Sequence, residues 1–383
     1  MKTVCKLKDC CTIIAGQSPE SKYYNTSGDG LPFFQGKADF GELYPNIRVF
    51  CSQPTKVAEK DDILLSVRAP VGPTNLAPCR VCIGRGLTAI RPSKNLMTRY
   101  VLLFFKYFEA QLAAKGTGTT FKAITQDVVK NLEIPVPSLE EQAHIVARAA
   151  ELFSELDAGV ETLQKIKQQL AVYRQAVLKR AFGSIEYKFS APIESLCESI
   201  VDCPHSTPKW VEDGCICLRT TNFRRGVLDL SERNYVSKET FDRRNARLVP
   251  HPGDVLYSRE GAILGIACII PNDTYVCLGQ RMMLLRTGER LNNRYLMYYL
   301  NSPVVTHHVA KITGGSASPH VNVGDIKAFI IPCPEVEAQE KIVSDIDEKY
   351  SECDSIEKTI DKALQQSAAM RQSILKQAFE GDL

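Results

Sequence analysis

Pro135-Val-Pro-Ser-Leu-Glu-Glu-Gln142 returns 197 positions later as Pro332-Cys-Pro-Glu-Val-Glu-Ala-Gln339. Each copy opens a long segment, and the two segments also close alike. Arg174-Gln-Ala-Val-Leu-Lys-Arg-Ala-Phe182 and Arg371-Gln-Ser-Ile-Leu-Lys-Gln-Ala-Phe379 keep the same offset of 197. Upstream the offset drifts. Asp62-Ile-Leu-Leu-Ser-Val-Arg68 echoes Asp254-Val-Leu-Tyr-Ser-Arg-Glu260 at 192, and Cys82-Ile-Gly84 echoes Cys277-Leu-Gly279 at 195. The chain is therefore written twice. A segment that keeps its length belongs to a packed frame, and one that tolerates insertions belongs to loops.

The fixed segment reads as helix. Leu139, Val146, Phe153 and Val160 fall seven apart, and Ala149, Leu156, Leu163, Leu170 and Val177 do so three residues out of phase. In the second copy Val336, Val343 and Tyr350 take one register, and Ile346, Cys353, Ile360 and Ile374 the other. This is an a/d heptad pattern, interrupted by Gln142, Lys167 and Ser367. Pro-x-Pro blocks helix on the N-terminal side of each copy. Gly183 and Gly381 suit helix stops. About 44 residues at about 1.5 Å each give roughly 65 Å per helix. Two unrelated surface helices would not share heptads at one offset. The order module, helix, module, helix predicts an antiparallel coiled-coil pair with the two modules at opposite ends, about a pseudo-two-fold axis.

The expected domains are residues 1–138 and 184–334 as globular modules, and 139–183 and 335–383 as helical regions. The fold class is α/β (α+β). Asp62-Ile-Leu-Leu-Ser66 and Asp254-Val-Leu-Tyr-Ser258 look like short buried strands. Met97 to Ala114 and Leu291 to Lys311 look helical. Gly116-Thr-Gly-Thr-Thr120 and Gly314-Gly-Ser-Ala-Ser318 follow them as matching loops, able to offer backbone N–H groups to phosphate or to serve as simple turns.

Length and composition agree. A chain of 383 residues, 44% apolar and 24% charged, is a folded protein of two or three domains. No apolar run approaches the eighteen or so residues of a membrane span, and the first residues lack a long apolar core, so a cytoplasmic protein is expected. Fourteen cysteines include one CxxC, Cys79 to Cys82, with no second pair at zinc spacing, so buried thiols are the better reading. The net charge of +3 hides an uneven distribution. Residues 1–138 hold 18 basic against 11 acidic side chains, and 335–383 hold 6 against 12. The basic block favours phosphate, and the acidic one tolerates protein contacts.

Catalytic motifs are lookalikes only. Gly30 to Lys37 has five residues between its glycines where a phosphate loop has four, and Ala38 stands in place of Ser or Thr. Gly84-Arg-Gly-Leu-Thr-Ala89 runs into Ile90-Arg-Pro92, which denies a pyrophosphate its helix N-terminus. The six histidines are scattered, and no Asn/Asp-Pro-Pro-aromatic stretch offers a base-extruding pocket. What remains is basic, loop-rich surface. Arg219-Thr-Thr-Asn-Phe-Arg-Arg-Gly226 gathers Arg219, Thr221, Asn222, Arg224 and Arg225. Arginine can bond guanine bidentately, and asparagine adenine. Arg243, Arg244 and Arg247 suit phosphate. In the first module Gln35, Lys37, Arg68 and Arg85 correspond, with ordinary solvated charge as the plainer alternative for each.

At this point the arrangement resembles the Type I restriction–modification specificity subunits, over essentially the whole chain. The matching residues are Ile134 to Gln142, Ile331 to Gln339 and Ile374-Leu-Lys-Gln-Ala-Phe-Glu-Gly-Asp-Leu383. The Asp-Ile/Val-Leu-x-Ser motif with Arg68 or Arg259 nearby is similar to the core strand of that family's recognition domains. Arg259 and Arg281 complete the expected DNA contacts. The resemblance implies that each module reads one half of a bipartite, asymmetric site through the major groove, and that the helical pair sets the spacer. It implies two methyltransferase subunits docked on the frame, joined by translocase–nuclease subunits. It implies no cofactor in this chain, with S-adenosylmethionine and Mg/ATP bound by the partners. Glu141 is matched by Ala338, which weakens one polar contact of the second helix, and the ending Gly381-Asp382-Leu383 departs from a more basic family ending. A methyltransferase or nuclease with its own active site, and a coiled-coil scaffold that never touches DNA, are the competing readings.

Overall fold

Ile63–Ser66 and Val255–Ser258, the two repeated strands, are buried at all four positions. The structure, a computed structural model, describes residues 3–117, 122–183, 189–313 and 319–381. Gly118 to Thr120 and Gly314 to Ser318, parts of the two matching loops, lie outside the described residues, as do Asp382 and Leu383. The chain divides into two units, Met1–Leu163 with Asp361–Leu383, and Gln164–Ile360. The division falls inside both long helices, Leu139–Gly183 and Val336–Glu380, each of 45 residues.

In the first unit a four-stranded antiparallel sheet runs in the order Cys11–Ala15, Leu87–Pro92, Ile63–Ser66, Thr74–Leu76. The helix Thr98–Ala114 covers it with Tyr100, Val101, Phe104 and Phe105. A second sheet of five strands contains Leu31–Phe34 parallel to Val81–Ile83, with Phe33 opposite Cys82. The second unit repeats the plan. Its six-stranded sheet holds Cys197–Asp202, Met282–Thr287, Val255–Ser258 and Ala267–Ile269, then two short strands. Its four-stranded sheet sets Cys215–Cys217 parallel to Val276–Cys277, with Cys217 opposite Cys277.

The repeat extends to individual hydrogen bonds. Asp62 takes both prongs of Arg91 at 2.8 Å, and Asp254 takes Arg286 in the same way. The Tyr100 hydroxyl donates to Pro135 O at 3.1 Å and that of Tyr295 to Pro332 O at 2.8 Å. Gln142 and Gln339 are fully buried. Each accepts one backbone N–H through Oε1, from Met97 and Asn292 respectively. Each donates through Nε2 to two carbonyls, Asn95 and Pro137, or Arg290 and Pro334. Gln142 is therefore no polar intruder in a seam. It fastens the start of the long helix to the turn before the sheet-covering helix.

Within each unit the long helices run antiparallel. In the first, Ile145 shares a core with Ala378 and Phe379, and Arg371 pairs with Asp157 while its guanidinium lies 4.6 Å from the centre of the Phe153 ring. In the second, Leu178 and Phe182 share a core with Val343 and Ile346. Arg174 pairs there with Asp354 at 2.6 Å and Glu357 at 3.1 Å, over the Tyr350 ring. Phe379 packs on Tyr100, Phe104 and Tyr107, and Phe182 on Tyr295 and Tyr299.

Two further expectations need correction. Leu139 is 49% exposed, so the first heptad position lies outside the seam and Ile145 takes the buried role. Helix from Leu291 to Lys311 is broken into Asn293–Leu300 and Pro303–Ile312. Pro303 starts the second piece, and Asn301 turns its amide onto both backbone groups of Ala267. The exchange of Glu141 for Ala338 acts at the helix start. A Ser138/Glu141 capping box, with contacts of 2.9 to 3.2 Å, caps the first helix. In the second helix Glu335 and Ala338 stand at those positions and offer no such pair.

Candidate nucleic-acid interface

In each unit three loops meet along the edge formed by the C-terminal ends of three strands, and hydrogen bonds fix their order. In the first, Gly84 N–H donates to Phe34 O at 2.8 Å, Val67 N–H to Gly86 O at 2.9 Å, and Arg85 N–H to Ser18 Oγ at 3.2 Å. A Cβ on Gly86 would sit 2.2 Å from Gln35 O, so only glycine permits this approach. In the second, Leu218 N–H donates to Cys277 O at 2.9 Å and Arg259 N–H to Arg281 O at 3.0 Å. A Cβ on Gly279 would meet Leu218 O at 1.9 Å. The strand pairings make Gln35 and Arg219 equivalent, and each is followed by a single 3₁₀ turn, Lys37–Asp39 or Thr220–Asn222.

The edge thus gathers Gln35, Lys37, Arg68 and Arg85 in the first unit. All four are exposed, and their side chains make no hydrogen bond or ion pair to described residues. In the second it gathers Arg219, Thr221 and Arg281, also exposed. Arg281 adopts a left-handed φ of 68° and lies 3.6 Å from Glu260.

Other expected contacts are engaged inside the protein. Asn222 is 5% exposed. Its Oδ1 accepts Arg219 N–H at 2.8 Å, and its Nδ2 donates to Asp229 O and Glu232 O. It closes the turn, as Asp39 does by accepting Gln35 N–H, and has no amide edge left for adenine. Arg259 is 7% exposed and bidentate to Asp202 at 2.8 and 3.2 Å. It braces the loop carrying His205, whose Nε2 is 3.1 Å from the same carboxylate. Arg224 donates to Thr221 O and Phe223 O and pairs with Asp229 at 3.2 Å. Arg225 reaches Asn301 O at 3.3 Å and lines a cleft of about 1020 Å³. Arg244, considered for phosphate, is buried and donates to the carbonyls of Pro204, Ser206, Leu278 and Gly279. Arg243 and Arg247 remain exposed.

Sequence reasoning passed over Trp210, which is 40% exposed and lies under the Arg219 guanidinium at 5.7 Å. It is the one tryptophan of the chain, and a lone exposed indole was the available signal. The lookalike motifs lead nowhere. The strand Leu31–Phe34 occupies Gly30 to Lys37, and the strand Leu87–Pro92 stands where a dinucleotide site needs a helix. Burial pushes the Cys82 thiol of the CxxC up to about 11. Among the described residues no three His, Cys, Asp or Glu side chains cluster as metal ligands, and no helix is long and apolar enough to cross a membrane.

Comparison with known proteins matches this architecture. The family model for the Type I restriction modification DNA specificity domain matches residues 2–171 and again 218–366. A candidate type I restriction enzyme specificity subunit, MjaX of Methanocaldococcus jannaschii, is 41% identical over 167 residues, 43% of this chain and 38% of that one. The EcoBI specificity subunit of Escherichia coli is 26% identical over 298 residues, 70% of this chain and 62% of that one. The matches thus span less than two thirds of these relatives' own length. Two solved structures share the fold over the whole chain. One concerns complex assembly and conformational transition of the type I R-M system (TM-score 0.72, 19% identity, 98% of that chain). The other is the HsdS subunit from Thermoanaerobacter tengcongensis (TM-score 0.54, 20% identity, 97% of that chain).

Proposed function

The chain belongs to the Type I restriction modification DNA specificity family, and from that premise we propose that it is the DNA specificity subunit of a Type I restriction–modification system. The observation that carries the reading is the repeated edge. One scaffold of backbone bonds presents Gln35, Lys37, Arg68 and Arg85 in one unit, and Arg219, Thr221 and Arg281 in the other. Related scaffolds with different donors read different sequences, so the site is bipartite and asymmetric. Double-stranded DNA is the ligand, in the cytoplasm.

In this proposal the chain does no chemistry. Two methyltransferase subunits dock on the long helices and modify adenine with S-adenosylmethionine bound in their own chains. Translocase–nuclease subunits, using ATP and magnesium, join for cleavage. The long helices set the unspecified spacer. Adenine-methylation mapping of cells carrying the chain with its methyltransferase subunits tests this, and one bipartite motif is expected. Methylation or cleavage by the purified chain alone, or loss of all sequence-selective retention of DNA by the complex, would overturn it.

A further inference from the structure

Resting on that DNA-reading role, we propose that Arg219 is the fork that reads one guanine of the site in the major groove, and that Trp210 is the residue that positions it. Two features fix Arg219 in advance. Its backbone is closed by Asn222, whose amide is itself tied to Asp229 O and Glu232 O. Its guanidinium lies against the Trp210 indole at 5.7 Å. A cation–π contact of this kind uses the charge of the guanidinium and consumes none of its N–H donors. Those donors are unspent, because the Arg219 side chain makes no hydrogen bond or ion pair to described residues.

Its neighbours differ. Arg224, Arg259 and Arg281 face Asp229, Asp202 and Glu260, and Arg225 is engaged by Asn301 O. Arg243 and Arg247 are exposed without a stacking partner, which suits the undirected attraction of phosphate. A planar fork held near one aromatic ring matches guanine O6 and N7 instead. Holding it before binding removes the entropy cost of ordering a long side chain. The equivalent position in the first unit carries Gln35, a residue type whose bidentate partner is adenine. The same turn thus offers a guanine reader in one unit and a different donor set in the other.

The test uses the full chain with its methyltransferase subunits. The methylated motif is mapped first. Duplexes are then made in which each G·C pair of the motif is replaced, one at a time, by each other pair. Arg219→Ala is expected to flatten the preference at a single G·C position, where the unaltered complex discriminates by about 10-fold or more, and to leave every other position unchanged. Arg219→Lys keeps the charge and guards against misfolding, and it is expected to lose the same preference. Trp210→Ala is expected to weaken that one preference, while Arg247→Ala lowers affinity for all duplexes equally and reduces the salt dependence. Equal loss on every duplex for Arg219→Ala, no change, or a motif without any G·C pair would overturn the proposal. If the unaltered complex shows no sequence preference at all, the specificity role itself fails first.

Discussion

Gln142 Oε1 accepts the Met97 backbone N–H at 2.8 Å, and Gln339 Oε1 accepts that of Asn292 at the same distance. Both side chains are fully buried, with both amide hydrogens used. Replacing either by alanine takes the partner from one backbone N–H and two carbonyls, in sites that are buried or part-buried. Each of Gln142→Ala and Gln339→Ala is expected to cost about 2–4 kcal/mol, since a buried orphan costs more than a hydrogen bond yields. Urea unfolding of the two variants checks this, and a loss below about 1 kcal/mol would mean that water replaces the amide.

Phe379 fills a pocket of three aromatic rings in the first unit. Phe379→Ala is expected to destabilise that unit by about 3–5 kcal/mol. Hydrogen exchange should report the loss in the helix Thr98–Ala114, which carries the three rings, more than in strand Val255–Ser258.

Lys106 is partly buried, and burial holds its ammonium below the ordinary lysine range. Arg371 and Arg99 add to the shift, and Glu109 and Glu42 oppose it. A folded pKa below the unfolded one means that the charge costs stability at neutral pH. The cost fades as pH rises through the folded value to the unfolded value near about 10.4. Lys106→Met is therefore expected to raise Tm by about 2 °C at about pH 7, with the gain shrinking as the unfolded lysine also loses its proton in a series of thermal melts.

Arg259 N–H donates to Arg281 O at 3.0 Å, yet the two side chains answer differently to removal. Arg259→Ala leaves the half-buried Asp202 carboxylate with His205 alone and is expected to cost about 2–3 kcal/mol of stability. Arg281→Ala, exposed beside Glu260, should leave unfolding within about 0.5 kcal/mol of the parent chain. Paired denaturation curves separate the two.

Much of this was legible beforehand because repetition is a property of spacing. The offset of 197 located both long helices, and the Asp-Ile/Val-Leu-x-Ser pair located both buried strands. At the candidate interface the burial of each side chain was less legible. Arg219 and Asn222 share one short segment and a similar chemical promise, but one faces solvent and the other closes a turn. Which of them is spent depends on Asp229 and Glu232, contacts that no local pattern encodes. Gln142 misled for the same reason, because a heptad register describes one partner helix and its partners were loop carbonyls.

The long helices carry a prediction of their own from the family's logic. Inserting one heptad at equivalent points of both helices keeps each seam in phase. Mapping of the methylated motif is expected to show a changed spacer between unchanged half-sequences. Altered half-sequences with the old spacer would refute the helices as the measure.

The core of the first unit is closed by Phe379 and Ala378, which the ribosome delivers only after all of residues 164–360. At about 5–20 residues per second, that is a wait of roughly 10 to 40 s. Throughout it the nascent Tyr100 and Phe104 lack their final cover and invite chaperones or proteases. Completion of the first unit's core is thereby tied to translation of the whole second unit.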